Sequence, residues 1–140
     1  MVDSVRGEAV FHELSKLLAL RGFSTSKPNI DKVIDMIATK NNKIGLIQIK
    51  TVIFNLDQEK KLVNASGSKN GKFSERYSGL NLVVVCLDKE GQNLYNLIFP
   101  PSKLPDIQCL TVRRRRKDVK KYEEFLDNFE KRRLEKTRLT

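Results

Sequence analysis

The sequence has few of the residues that build several common kinds of functional site. Its 140 residues include one histidine, His12, and two cysteines, Cys86 and Cys109. Both cysteines lie in apolar, strand-like runs without C-x-x-C spacing, which is typical of small buried side chains rather than of zinc ligands or a disulfide framework. Because a second histidine, a nucleophile elbow and a Gly-rich phosphate loop are also missing, neither a triad hydrolase nor a nucleotide-binding fold fits the chain.

Long hydrophobic runs are missing as well. No stretch approaches the roughly 20 apolar residues that span a bilayer, and the N-terminal residues lack the basic and then apolar layout of a signal peptide. We therefore expect a soluble, cytoplasmic protein that does not associate with a membrane. With 39% hydrophobic residues, a chain of 140 residues can build one core, which predicts a single domain over residues 1–140.

The charge is strongly unbalanced towards the basic side. Lysine and arginine number 27 against 17 aspartate and glutamate, giving a formal net charge of +10. This exceeds what solubility needs and indicates a polyanionic partner, because lysine and arginine release counterions from nucleic-acid phosphates on binding. An anionic membrane surface would satisfy the same charge, but we expect nucleic acid.

The hydrophobic periodicity predicts an α/β fold. Apolar residues at helical spacing over 3–23 predict an amphipathic helix that ends at Arg21 and Gly22. A second amphipathic helix is predicted over 116–136, from Val119, Tyr122, Leu126 and Phe129. Between them, strands are predicted at 23–27, 32–38, 44–54, 80–87, 93–99 and 109–113, and the polar stretch 55–79 is expected to be a long loop. The continuous apolar run 80–87 indicates a strand covered on both faces, within a central, mixed sheet.

Two polar residues interrupt the apolar strand at 44–54. Gln48 and Lys50 lie about 6 to 7 Å apart on the same face of that strand. The turn-forming residues 40–42 predict a hairpin, which places Asp35 on the neighbouring antiparallel strand. A buried, unpaired ammonium costs several kcal/mol, so Lys50 needs an acidic neighbour or an opening to water.

Two interpretations of these residues stay open at this point. Asp35 and Lys50 could form a cross-strand ion pair on a solvated face, with Gln48 as a polar neighbour. Alternatively, Asp35 and the side-chain oxygen of Gln48 bind a divalent cation, because hard oxygen ligands suit magnesium. Lys50 would then stabilise charge on a phosphate or orient the attacking water.

The segments GEAVFHELSKLLALRGF, VIDMIA and IQIKT, in this order and spacing, resemble the PD-(D/E)XK nuclease superfamily. The resemblance is strongest to its small members whose last motif is Gln-x-Lys, among them intron-encoded homing endonucleases. It extends through YNLIFPPSKL to the C-terminal helix and so covers most of the chain. It implies a restriction-endonuclease-like fold, in which a central mixed sheet is flanked by an N-terminal and a C-terminal helix.

The resemblance also implies a function and a set of site residues. It predicts a divalent-metal-dependent endonuclease acting on double-stranded DNA, with Glu8, Asp35, Gln48 and Lys50 as catalytic residues. Mg²⁺ or Mn²⁺ would be held by Glu8, Asp35, Gln48 and the carbonyl of Ile49. Ile34 stands where the motif often has proline, and Gln48 where many relatives carry a carboxylate. Because only two formal negative charges remain, we expect one tightly held metal ion rather than two.

Two other residues of the first helix are candidates for the site: Glu13 could replace Glu8 as the acid, and His12 could act beside it. Glu13 is five residues further along and could supply the acid instead, although the Gly-Glu-Ala context favours Glu8. On a helix, Glu8 shares a face with Phe11 and His12, whereas Glu13 points elsewhere. His12 could touch a phosphate, but a lone histidine is more often a packing or surface residue.

Two basic segments are candidates for contact with DNA. Residues 113–116 are four consecutive arginines, whose planar guanidinium groups can each donate two hydrogen bonds to a phosphate. The predicted loop supplies a second group, and together the candidates are Lys69, Lys72, Arg76, Arg113, Arg114, Arg115 and Arg116. A chain this short would cut one strand per site, so double-strand cleavage requires a homodimer or homotetramer. The alternatives are a structure-specific junction resolvase and a DNA-binding module without activity.

Overall fold

The computed structural model describes residues 2–28, 33–65, 71–122 and 132–133. The chain begins with a long helix, α1 (Val2–Ala19), as the periodicity predicts. Gly22 ends it with a φ of 87°, a left-handed conformation that glycine adopts without steric cost. The N–H groups of Gly22 and Phe23 donate to the carbonyls of Ala19 and Leu18 at 3.0 Å each, which satisfies the last turn of the helix.

A mixed sheet forms the centre of the fold, as the sequence predicts. Its main strands are β1 (Ser24–Ser26), β2 (Met36–Lys40), β3 (Lys43–Phe54), β5 (Asn81–Asp88) and β6 (Asn93–Phe99). They lie side by side in this order, with β3 and β5 parallel and the other neighbours antiparallel. Asn41 and Asn42, with φ of 52° and 60°, make the tight turn between β2 and β3. Asparagine tolerates this conformation better than most residues, which explains the predicted hairpin.

Two hydrophobic clusters cover the two faces of this sheet. One face packs against α1 through Leu14, Leu18, Ile47 and Val83. The other face carries Val52 and Phe54 of β3 and the alternate residues of β5, and it packs beneath the remaining elements. Seven of the eight residues of β5 are buried, which confirms that this strand is covered on both faces.

The stretch 55–79 is more structured than the sequence predicts. It contains a strand, β4 (Lys60–Asn64), and a short helix, α2 (Phe73–Arg76). The strand β7 (Cys109–Arg113) pairs antiparallel with β4 and forms a separate two-stranded sheet, so its expected place in the central sheet is wrong. Val63 and Val112 bury the inner face of this small sheet against the core. The prediction of one long loop was wrong because the lysines of β4 interrupt the alternation of apolar and polar residues that identifies a strand.

Two other boundaries differ from the predicted ones. The strand predicted at 32–38 begins only at Met36 and extends to Lys40. Near the C-terminus, residues 119–122 are helical as predicted, but Arg132 and Arg133 form a short strand, β8 (Arg132–Arg133), which pairs with the start of β3. The predicted helix therefore does not extend to residue 136. Leu126 and Phe129 of its apolar stripe lie outside the described residues.

Candidate active site

Asp35 sits at the point where the β2 ladder stops and β3 continues. Its N–H donates to the carbonyl of Ile47 at 2.8 Å, and its Oδ2 accepts a hydrogen bond from the N–H of Ile49 at 2.8 Å. The carboxylate thus takes the place of a strand partner beside β3. This explains why the strand starts only at Met36: the side chain of Asp35 makes the contact that a backbone carbonyl would otherwise make.

A cavity of about 350 Å³ opens beside this carboxylate. It is lined by the residues Gly7, Glu8, Val10, Phe11, Lys27, Asp35, Ile49 and Thr51. Two acids from distant parts of the chain, Glu8 on α1 and Asp35 before β2, therefore share one cavity. Glu13 lines a different cavity, between α1 and the β5–β6 end of the sheet, and pairs with Lys16 at 3.9 Å. The geometry favours Glu8 over Glu13.

Gln48 and Lys50 lie on the face of β3 that is turned away from α1. The Nζ of Lys50 lies 5.5 Å from the ring centre of Tyr77, which belongs to the cluster on that face. Neither residue is among those that line the cavity with Glu8. The structure therefore brings Glu8 and Asp35 together beside Ile49, whereas the side chains of Gln48 and Lys50 lie on the opposite face of β3, outside that cavity.

The side-chain amide of Gln48 is half satisfied. Its Nε2 donates to the carbonyl of Ile49 at 3.3 Å. Its Oε1 is buried and has no hydrogen-bond partner among the residues that the structure describes. A buried polar atom without a partner costs free energy, so this oxygen is suited to a bound cation or another donor.

Burial raises the pKa of the Asp35 carboxyl above its ordinary value, and the hydrogen bond from Ile49 and the charges of Lys50 and Lys27 offset this only in part. Lys50 is thus electrostatically coupled to Asp35 although it lies on the other side of β3. Lys27 is a site residue that the sequence analysis missed. Lys27 directly follows β1 and belongs to none of the motifs discussed above. Its only distinguishing feature in the sequence is its position beside Pro28 at the end of a short strand.

The raised pKa leads to a prediction about stability and pH. A folded-state pKa above the unfolded value of about 3.9 means that the charged carboxylate destabilises the fold at higher pH. Asp35→Asn keeps an acceptor for the Ile49 N–H and removes the charge, so we expect a higher thermal unfolding midpoint than wild type at neutral pH. The difference should disappear as the pH falls towards 4. Unfolding curves recorded across this pH range measure it.

Asp118→Asn is the matched control for that measurement. Bidentate hydrogen bonds from Arg116, at 2.8 Å each, lower the pKa of the Asp118 carboxyl well below its usual range. Its charged form therefore stabilises the fold above the unfolded pKa, and this contribution is lost as the pH falls. Asp118→Asn should lower the unfolding midpoint at neutral pH. Equal shifts of the same sign in both variants would contradict the electrostatic account of Asp35.

The predicted DNA contacts fall into different environments. Arg113 and Arg115 are exposed, whereas Arg114 donates to the carbonyl of Asn55 at 2.7 Å and Arg116 is held by Asp118. Arg116 also stacks on Tyr122, with its guanidinium carbon 5.2 Å from the ring centre. In the second group, Arg76 is exposed and Lys72 lies 3.6 Å from Asp106. Lys69 lies outside the described residues.

Few side chains at the candidate site can bind a metal ion. Within the described ranges, no three histidine, cysteine, aspartate or glutamate side chains come together as a metal-binding group. A cation in this cavity would rely on the carboxylates of Glu8 and Asp35, next to the carbonyl of Ile49. These are hard oxygen donors of the kind that Mg²⁺ prefers, whereas the unpartnered Oε1 of Gln48 is not among the groups that line the cavity.

Comparisons of this chain with protein families, with curated proteins and with solved structures found no match. Across the part of the chain that the structure describes, no helix is long and apolar enough to cross a membrane.

Proposed function

We propose that the protein is a divalent-metal-dependent endonuclease of the PD-(D/E)XK superfamily, with a restriction-endonuclease-like fold, that hydrolyses double-stranded DNA. The observation that carries the proposal is the position of Asp35. Its carboxylate is fixed beside β3, shares a cavity with Glu8, and is coupled to the charge of Lys50. The α/β architecture with a central mixed sheet agrees with this proposal.

The site would hold one Mg²⁺ or Mn²⁺ through Glu8, Asp35 and the carbonyl of Ile49, and Gln48 would complete the set by turning its amide towards the cavity. Such an ion, when bound, lowers the pKa of a water molecule and offsets negative charge on the scissile phosphate. Two carboxylates with a neutral amide suit one ion better than two, because a second ion would lack charge compensation. Ionised Asp35 is required, so its raised pKa makes binding of the ion weaker at acidic pH.

Lysine and arginine side chains would add positive charge at the phosphate and affinity for the DNA backbone. Lys50 would offset charge that develops on the phosphate as water attacks in line. Lys27 lines the cavity with both acids, its charge favours the ionised form of Asp35, and it would be available to a phosphate. The exposed Arg113 and Arg115 would contribute affinity for the DNA backbone. Because one chain offers one such site, cleavage of both strands requires a homodimer or homotetramer.

Incubation of the purified protein with supercoiled plasmid and Mg²⁺ tests the proposal. Nicking that depends on Mg²⁺ and stops when the metal is chelated supports an endonuclease. DNA binding without cleavage by the wild-type protein would instead support a non-catalytic module of the same fold. Preferential cutting of a four-way junction over linear duplex would identify a structure-specific resolvase.

The arginine run provides a further prediction, because its neighbouring members have different roles. Arg115→Ala should leave the thermal unfolding midpoint unchanged and reduce the salt dependence of DNA binding, by a slope of about 0.9 for each lost phosphate contact. Arg116→Ala should lower the unfolding midpoint, since it breaks the bidentate pair with Asp118 and the contact with Tyr122. Unfolding curves and binding titrations at several salt concentrations measure both effects. A reduced salt slope confined to Arg116→Ala would contradict this assignment.

A further inference from the structure

The two-stranded sheet of β4 and β7, hereafter the ribbon, has one face open to solvent. Cross-strand pairing places Lys60 opposite Arg113 and Leu62 opposite Thr111. The exposed members of this outer face are Lys60, Leu62, Asn64, Thr111 and Arg113. The inner face packs into the core through Val63 and Val112. The inner face of the ribbon is therefore part of the core, and its outer face is open to solvent.

The outer face combines facing like charges with an exposed leucine, and both are unfavourable when the face contacts only water. Lys60 and Arg113 face each other directly across the two strands, and like charges in that position are destabilising. Leu62, at the middle of the ribbon, has 64% of its surface exposed. Arg115 and Lys117 follow and line a cavity of about 450 Å³ together with Lys60 and Arg113. The same cavity contains one acid, Asp118, which is paired with Arg116. The remaining excess of positive charge next to the exposed Leu62 indicates a polyanionic ligand that also offers apolar contact.

The ribbon is fixed from within at both ends. The hydroxyl of Tyr77 donates to the carbonyl of Ala65 at one end, and the hydroxyl of Tyr95 donates to the carbonyl of Arg113 at the other. The N–H of Arg114 further donates to the carbonyl of Glu59 at 2.8 Å. A rigid element loses little conformational entropy on binding, which favours a role in recognition.

The ribbon also lies next to Lys50. Lys50 and the ribbon residues Leu62 and Asn64 line one cavity of about 400 Å³. The recognition element and the phosphate-stabilising lysine are on the same side of the central sheet.

We propose that the outer face of the ribbon enters the major groove of B-form DNA and recognises base edges there. The inference rests on the proposed function, since it takes duplex DNA as the substrate. A two-stranded ribbon fits the major groove, which is about 12 Å wide. Alternate side chains on a strand are about 6.6 Å apart, which matches two base-pair steps of about 3.4 Å.

Each outer residue has a chemical partner in that groove. The amide of Asn64 can form two hydrogen bonds with adenine, and Arg113 or Lys60 can donate to the O6 and N7 of guanine. Leu62 can contact the methyl group of thymine, and the hydroxyl of Thr111 can bond to several bases. Arg115 and Lys117, which leave the ribbon, are positioned for flanking phosphates. The ribbon therefore determines sequence preference, while the arginine tract contributes general affinity.

Selection from a randomised duplex pool tests this inference without requiring cleavage. The wild-type protein, with Ca²⁺ in place of Mg²⁺, is expected to enrich a defined sequence. Asn64→Ala should lose preference at one or two positions of it, by about 5- to 100-fold, the range for a bidentate base contact. Gln92→Ala, an exposed amide in the turn between β5 and β6, is the matched control and should keep the wild-type preference.

Methylation interference identifies the groove. Modification of guanine N7, which lies in the major groove, should weaken binding within the enriched site, whereas modification of adenine N3 in the minor groove should not. An unchanged preference in Asn64→Ala, interference confined to adenine N3, or no sequence preference in the wild type would overturn the inference. Specific binding of the expected kind without any Mg²⁺-dependent cleavage would support the ribbon while refuting the nuclease proposal. Failure to bind duplex DNA would overturn both.

Discussion

Lys50→Ala is expected to reduce Mg²⁺-dependent nicking by about 100- to 1,000-fold, the usual loss when one charge-stabilising group is removed from an active site. Lys50 is coupled to Asp35 across β3, as Lys27 is from within the cavity, and its ammonium lies above the ring of Tyr77. Its removal leaves the fold and the basic ribbon in place. Rates of plasmid nicking and DNA affinity, measured separately, should therefore show a loss of rate without a comparable loss of binding.

Lys43→Ala is the matched control for this experiment. Lys43 is the first residue of the strand that carries Lys50, and it is exposed. Both variants remove one lysine charge, so a general weakening of DNA binding would affect them alike. Asp35→Ala should abolish nicking as Lys50→Ala does. Similar losses of activity in Lys43→Ala and Lys50→Ala would show that Lys50 has no special part in the reaction.

Leu18→Ala is expected to lower the free energy of unfolding by about 2 to 5 kcal/mol, the range for a leucine truncated inside a core. Leu18 is completely buried in the cluster between α1 and the central sheet. The same packing holds α1, and therefore Glu8, over the cavity that contains Asp35. Denaturant unfolding of the purified variant measures the change.

Leu20→Ala is the control, two residues further along. Leu20 is 85% exposed, and surface substitutions usually change stability by less than about 0.5 kcal/mol. The two variants make the same chemical change in the same region of the chain. Equal destabilisation by both would contradict the packing of α1 on the sheet through Leu18.

The helix, the hairpin and the buried strand could be predicted because each has a strong local signal. Leu14 and Leu18 repeat at helical spacing, Asn41 and Asn42 favour a tight turn, and residues 80–87 are apolar throughout. The pairing of Asp35 with the neighbourhood of Gln48 follows from that hairpin alone. Order and spacing along the chain therefore sufficed to place the β2–β3 half of the candidate site.

The ribbon and the role of Lys27 could not be predicted in the same way. Strand β4 carries Lys60 and Lys61 and exposes Leu62, so its hydrophobic alternation is too weak to identify without its partner β7. Its partner lies about fifty residues later in the chain, and only the fold brings the two together. Lys27 likewise meets Asp35 through tertiary packing, which no local pattern encodes. Contacts between distant segments were the part that sequence reasoning lacked.

Binding of Mn²⁺ to the metal-free protein, followed by its paramagnetic signal, tests the central claim most directly, because it needs neither DNA nor turnover. Wild-type protein at neutral pH is expected to bind one ion per chain, more weakly as the pH falls and Asp35 becomes protonated. Asp35→Asn and Glu8→Gln, which keep the shape of each side chain, should each weaken that binding by tenfold or more. Equal binding of Mn²⁺ by wild type and both variants would contradict a cation site between Glu8 and Asp35.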